Sequence, residues 1–325
     1  MEQFLIITSV LVVVLLMASA IWSWRRAAYF SEKYPPVGEV HDVDGVQLHY
    51  LHMPPSDRGG QTIVLLHGAS ANLNDARHAL AADLAGRHGL LFLDRPGHGW
   101  SGRGGRHVAS PTQQAHLIID LMDRLGIERA VMVGHSWGAS LAATLAVDYA
   151  DRVSGLVFLA PATHPWPGGV LWYYRFASWP VIGWLFTRTI VTPIAEIAMA
   201  SALRGVFVPD RPPADYIEAT RAWLVLRPDE FRNNAEDIAD LNNHLAIYAP
   251  RYGEISVPTT IVTGDADTIV SPQIHSDALH QEIAGAQLMI LPNAGHMPHY
   301  THKADVIAAI DDVVARSRES RAAAE

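Results

Sequence analysis

The pentapeptide Gly134-His135-Ser136-Trp137-Gly138 sets a serine between glycines, directly after the apolar run Ala130 to Val133 and before the small-residue stretch Ala139 to Ala150. Glycines are required where a serine occupies a sharp strand-to-helix turn, because a side chain at either flank would meet neighbouring backbone. Such a turn lifts the Ser136 hydroxyl above a sheet and sets it at a helix N-terminus, whose dipole favours developing negative charge. A hydroxyl is a weak nucleophile until a base takes its proton, so a histidine oriented by a carboxylate must accompany it. Both types occur downstream. Asp265 and Asp267 lie in Gly264-Asp265-Ala266-Asp267-Thr268-Ile269-Val270, after the run Thr259 to Val262, and His296 ends Pro292-Asn293-Ala294-Gly295-His296, after Ala286 to Leu291.

The elements that must hold these residues read as alternating strands and helices. Val46 to Met53, Thr62 to Leu66, Leu90 to Leu93, Ala130 to Val133, Gly155 to Leu159, Thr259 to Val262 and Ala286 to Leu291 are strand-like, with helical text near Leu73 to Ala85 and Thr112 to Leu125. Runs as uniformly apolar as TIVLL, LLFL and AVMV are buried on both faces, which predicts an α/β fold with a mostly parallel sheet and helices on both sides. Ligand-bearing loops of such a sheet gather at the carboxyl ends of its strands, where Ser136, Asp267 and His296 all fall. The last helix, Lys303 to Arg316, sets Val306, Ile307, Ile310, Val313 and Val314 on one stripe. Residues 162–252 break the rhythm with Pro-punctuated helical text, which predicts an inserted helical cap.

The chain resembles the α/β-hydrolase superfamily from about Val37 to Arg316. The matching motifs, in family order, are HGAS at 67–70, DRPGHGWS at 94–101, GHSWG at 134–138, GDADTIV at 264–270 and NAGH at 293–296. The resemblance implies a triad of Ser136, Asp267 and His296, with Asp265 as a turn residue. It implies an oxyanion hole made of the backbone N–H groups of Ala69 and Trp137, and no cofactor or metal. His67, His98 and His135 fall in turn motifs and read as structural. Ser101 lacks the full elbow. His296, His299 and His302 recur at i, i+3, but Pro298 and the lack of a carboxylate cluster argue against a metal there. Epoxide hydrolases and haloalkane dehalogenases use aspartate at the elbow, so Ser136 points to acyl chemistry and a serine esterase. C–C bond hydrolases and cofactor-free haloperoxidases share the serine triad and stay as alternatives, as does a catalytically silent binding protein of this fold.

The 325 residues carry a net charge of −9, no cysteine and 49% hydrophobic side chains. That excludes disulfide scaffolds, thiolate metal sites and cysteine nucleophiles, and it offers no basic footprint for nucleic acid. Phe4 to Trp24 contains no ionisable side chain over 21 residues, about 30 Å as a helix, the thickness of a bilayer core. Arg25 and Arg26 follow at once, which places the bulk of the chain on the cytoplasmic side of an inner membrane if this anchor is retained. Ala18-Ser19-Ala20 has the form of a signal-peptidase site, so secretion after cleavage is the competing reading. The expected organisation is an anchor at 1–26, a linker at 27–36, the core at 37–161 and 253–318, the cap at 162–252 and a frayed tail at 319–325. Within the cap, residues 166–186 hold eight aromatics and one charge, Arg175. These rings either fasten the cap to the core or meet an apolar substrate and the membrane interface. Arg175, Pro180, Arg188, Pro193 and Glu196 argue against a second span there. The expected partners are a small, apolar ester and the lipid bilayer.

Overall fold

Each apolar run forms the strand expected of it, and one further strand pairs at the sheet edge. The computed structural model describes residues 1–55 and 60–324. In chain order the elements are α1 (Glu2–Lys33), β1 (Glu39–Val43), β2 (Val46–Met53), β3 (Thr62–Leu66), α2 (Asn74–Leu84), β4 (Gly89–Leu93), α3 (Pro111–Arg124), β5 (Ala130–His135), α4 (Trp137–Asp148) and β6 (Val153–Leu159). The intervening cap holds α5 (Trp172–Ser178), α6 (Pro180–Phe186), α7 (Thr192–Phe207), α8 (Tyr216–Ala219) and α9 (Pro228–Tyr248). The core then resumes with β7 (Thr259–Gly264), α10 (Ser276–Glu282), β8 (Gln287–Leu291), α11 (Pro298–Thr301) and α12 (Lys303–Ala324).

The eight strands form one sheet in the order β1-β2-β4-β3-β5-β6-β7-β8. Only β2 runs against the others, pairing antiparallel with β1 and β4. Alternate side chains divide between two cores. Ile63, Leu65, Val131 and Val133 join Leu80 of α2 and Ile310 of α12 on one face. Val64, Leu66 and Met132 join Ile118 of α3 and Leu141 of α4 on the other. Strands buried on both faces have no polar side to show, which is why they read as continuous apolar runs.

Three expectations need correction. The segment 27–36 is not a free linker, because α1 continues to Lys33. Nothing between Arg25 and Lys33 opposes a helix, and the turn stops only at Tyr34, whose backbone is driven out of the helical region by Pro35. At the other end α12 runs on to Ala324, so the described part of 319–325 is helical; alanine is the strongest helix former. Third, Pro180–Phe207 forms a continuous 28-residue helical rod, apolar and long enough by length and composition to cross a membrane. Pro193 is accommodated at the start of α7, just after the π-helical turn Thr187–Val191.

Burial also sets an acid limit on stability. His244, hydrogen-bonded through Nε2 to Thr144 Oγ1 at 2.9 Å, is lowered by burial to about 4, and His275 is lowered by burial and by nearby His164 to about 4. The unfolded chain therefore binds protons that the folded chain refuses, and stability falls as pH drops below 6.5. A shift of that size is worth on the order of 3 kcal/mol per histidine by pH 4. The melting temperature should decline steadily from pH 7 to pH 4.5, and His244→Gln, which keeps a donor toward Thr144, should flatten the decline. An unchanged slope in that variant would rule out His244 as a contributor.

Candidate active site

Ser136 follows the last residue of β5, and its backbone (φ 52°, ψ −116°) lies in a region that non-glycine residues rarely adopt. The neighbouring glycines make that turn sterically possible. A Cβ on Gly134 would lie 2.5 Å from the carbonyl oxygen of Gly138, and one on Gly138 would collide with the carbonyls of Leu66 and His67. The turn is pinned on both sides of the peptide: Ser136 N–H donates to Leu159 O at 2.9 Å, and its carbonyl accepts from Ala139 N–H at 3.0 Å and Ala162 N–H at 3.3 Å. Trp137 opens α4, so its N–H has no carbonyl four residues back.

His296 and Asp267 meet from the loops after β8 and β7. His296 Nδ1 lies 2.7 Å from Asp267 Oδ2, with both residues buried. The other carboxylate oxygen, Oδ1, accepts the N–H groups of Ile269 at 2.8 Å and Val270 at 3.0 Å. That leaves Oδ2 for the imidazole. Asp265, two residues earlier, is exposed; its Oδ1 accepts the N–H of Asn293, braces the loop that carries His296, and does not take part in the histidine pair. His135 ties this arm to the elbow. Its Nε2 is 2.9 Å from the carbonyl oxygen of His296, and the two rings are 4.9 Å apart. Burial, followed by His299 and His296, holds His135 well below the ordinary histidine range and so neutral.

The loop with Ala69 passes directly over the elbow, since a Cβ on Gly68 would sit 3.0 Å from His135 Nδ1 and 3.2 Å from Ser136 Cβ. Two buried side chains hold it. Arg95 donates through Nε to His67 O at 3.1 Å and through Nη2 to Gly68 O at 3.3 Å, while Nη1 meets Asp237 Oδ2 at 2.6 Å. Its guanidinium also stacks on Trp137, 3.8 Å from the ring centre. Burial lowers Arg95 to about 10, against the opposing pull of Asp237, so the guanidinium stays charged. Asn234, on α9 of the cap, accepts the N–H of Ser70 at 2.7 Å and donates to Ser70 Oγ at 2.9 Å. Sequence reasoning missed Asn234, because a polar residue in a polar helix 164 positions away announces no partner. If it positions the oxyanion loop, Asn234→Ala should lower kcat on a soluble ester by roughly 10- to 100-fold with little change in KM. A change confined to KM would instead make it a substrate-binding residue.

The remaining sequence candidates are accounted for. His67 Nε2 accepts the N–H of Arg95 at 2.9 Å, and His98 Nε2 lies 3.2 Å from Arg95 Nη2. Ser101 donates to the Asp94 carbonyl at 2.7 Å. His296, His299 and His302 do not converge; His299 joins Asp75 and His135 instead, with donor atoms all within 4.8 Å. In that buried group His299 Nε2 is 3.1 Å from Asp75 Oδ2, and Tyr216 donates to Asp75 Oδ1 at 2.9 Å. Burial pushes the Asp75 carboxyl up, but His299, His135 and Tyr216 together hold it at about 2. Both oxygens are thus engaged in bracing α2 and the cap against the floor of the elbow.

A family model described as alpha/beta hydrolase fold matches residues 61–303. The 2-hydroxy-6-oxononadienedioate/2-hydroxy-6-oxononatrienedioate hydrolase of Klebsiella pneumoniae is 27% identical over 258 residues, covering 78% of this chain and 86% of that protein. Among solved structures, the enol-lactonase of Burkholderia xenovorans LB400 superposes with a TM-score of 0.67 at 25% identity, over 85% of this chain and 100% of its own. A thermophilic esterase from Thermogutta terrifontis reaches 0.66 at 19% identity, over 86% and 97%, a likeness of fold.

Proposed function

The chain belongs to the alpha/beta hydrolase fold family, and on that premise we propose that it is a membrane-anchored serine hydrolase that cleaves a carboxylic ester through an acyl-enzyme on Ser136. The observation that carries this reading is the 2.7 Å Asp267–His296 pair, tied through His135 to the strained turn of Ser136. Asp267 accepts a hydrogen bond from Nδ1–H, which fixes the tautomer and leaves Nε2 unprotonated to act as base. His296 takes the Ser136 proton as Oγ attacks the ester carbonyl, and the N–H groups of Ala69 and Trp137 receive the oxyanion. The same imidazolium then protonates the departing alcohol. Water repeats the sequence on the acyl-enzyme, and the acid leaves. Serine, histidine and aspartate complete this cycle without a cofactor.

The name of the Klebsiella relative favours a second reading, hydrolysis of a C–C bond beside a ketone. That relative's named substrate is a dicarboxylate, and a dianion calls for cations not already neutralised. Arg95, beside the oxyanion loop, is engaged by Asp237 and by two backbone carbonyls, which supports the uncharged ester. The test is fluorophosphonate labelling followed by two assays: a p-nitrophenyl ester series of rising chain length, and a 2-hydroxy-6-oxo dienedioate. Labelling with turnover of the esters is expected. Turnover of the dienedioate at a far higher kcat/KM would overturn the ester reading in favour of the C–C hydrolase.

A further inference from the structure

Helix α1 does not stand apart from the enzyme. The 18-residue stretch that makes it span-like contains no buried residue, yet the second half of the helix is docked on the cap. Arg26 Nε lies 2.6 Å from Glu196 Oε1, and Trp22 donates to Glu196 Oε2 at 3.1 Å. Phe30 is buried and stacks on Trp223 with ring centres 5.6 Å apart. One contact lies deeper still: the Ser19 hydroxyl donates to the carbonyl of Thr189, in the turn that joins α6 to α7. Ser19 is five residues short of Trp24, the end of the uncharged run, which at the rise of a helix is about 8 Å. If α1 crosses a bilayer, the cap at Thr189 is therefore carried to the depth of the last turn of the span.

The cap surface at that depth is suited to it. Trp172, Trp179, Val181, Ile182, Ile194 and Ile197 are all exposed, Ile197 at 88%. Of the three charges on this rod, Arg188 pairs with Asp229 at 2.5 Å and Glu196 with Arg26, while Arg204 is exposed near the end of α7. An apolar surface this extended, on which Arg175 and Arg204 are the only exposed charges of α5, α6 and α7 and tryptophans stand at the edge, suits a lipid interface better than water. Behind it lies the site. Helix α5 shows Trp172 and Phe176 to the outside, while Tyr174 stacks on Phe231 and brings its hydroxyl to 3.4 Å from Ser70 Oγ, beside Ala69.

We propose that α5, α6 and α7 lie in the membrane interface beside α1, and that a phospholipid bilayer is the partner this face meets. Resting on the ester reading, the substrate is an amphipathic, long-chain ester that passes from the lipid phase along α5 to the oxyanion loop.

Because the chain has no cysteine, single cysteines introduced in the full-length protein report position cleanly. Leu11→Cys on α1, Ile182→Cys and Ile197→Cys on the cap, and Glu128→Cys, exposed just before β5 at the end of the strands opposite Ser136, are labelled with a fluorophore. Each is reconstituted in vesicles of phosphatidylcholine and phosphatidylglycerol. Quenchers are a nitroxide on the lipid acyl chain and aqueous iodide. Labels at 11, 182 and 197 are expected to be quenched by the nitroxide several-fold more than the label at 128, which iodide reaches. Iodide quenching of 182 and 197 with nitroxide quenching of 11 would overturn the proposal, leaving α1 alone in lipid. Shielding of 182 and 197 from both quenchers would overturn it in favour of a second copy of the chain. Fluorophosphonate labelling of the same vesicles reports the hydrolase reading independently. For delivery, the Ile182→Glu/Ile197→Glu variant should lose rate several-fold on a vesicle-borne long-chain ester and keep its rate on a soluble short-chain ester. Equal loss on both would refute delivery from the lipid.

Discussion

Ser136→Ala is expected to lower kcat toward esters by roughly 10⁵- to 10⁶-fold and to abolish fluorophosphonate labelling. The size of the effect follows from the lack of a substitute. Other hydroxyls of the neighbourhood are held in hydrogen bonds to fixed partners: Ser101 donates to the Asp94 carbonyl, Ser140 to the Ala162 carbonyl, and Ser70 is locked against Asn234. None of them leads a helix from a turn beside His296. Folding should be preserved, because the bonds that pin the turn are made by the backbone of residue 136 and not by its side chain. An unchanged melting temperature with lost turnover is the expected pair of results. Retention of even a tenth of the activity would move the nucleophile elsewhere.

The sheet and its loops were legible because their signals are local. A strand buried on both faces spells itself out in five consecutive apolar residues, and Gly134 and Gly138 mark a turn that no larger side chain fits. Strand β1 was missed because Glu39-Val-His-Asp-Val43 is an edge strand, largely exposed and mostly polar. Its available signal was Asp44-Gly45, both at positive φ as a two-residue hairpin turn requires. The positioning residues were illegible for a different reason. Asn234, Asp237 and Asp75 are buried polar groups whose partners come from distant segments, and a polar letter in a helix looks like a solvated face until the fold covers it. Likewise the aromatics of 166–186 could be read as filling or as surface. The fold divides them, with Tyr174 turned in against Phe231 and Trp172, Trp179 and Trp184 left exposed. The docking of α1 on the cap lay outside any local pattern, since it joins Arg26 to Glu196 across 170 residues.

Asp267→Asn is expected to reduce kcat by about 10⁴-fold, and Asp265→Asn to leave it close to that of the unmodified enzyme. Both residues lie in the loop after β7 and both are aspartates, so only their surroundings separate them. The Asp267 carboxylate has one oxygen filled by two backbone N–H groups and the other presented to His296 Nδ1. An asparagine side chain there keeps the first oxygen's bonds but turns an N–H toward the imidazole. Nδ1 must then accept, which puts the proton on Nε2, and a protonated Nε2 cannot relieve Ser136 of its own. The loss should appear in kcat more than in KM, and should shrink at high pH, where hydroxide can take over part of the base's work. Asp265 instead holds the N–H of Asn293, a bond that asparagine's carbonyl can retain. Its replacement should cost only a little stability at the loop that carries His296. The reverse pattern, a silent Asp267→Asn and a damaging Asp265→Asn, would mean that the loop rearranges in the working enzyme and that the 2.7 Å pair is not the one that catalyses.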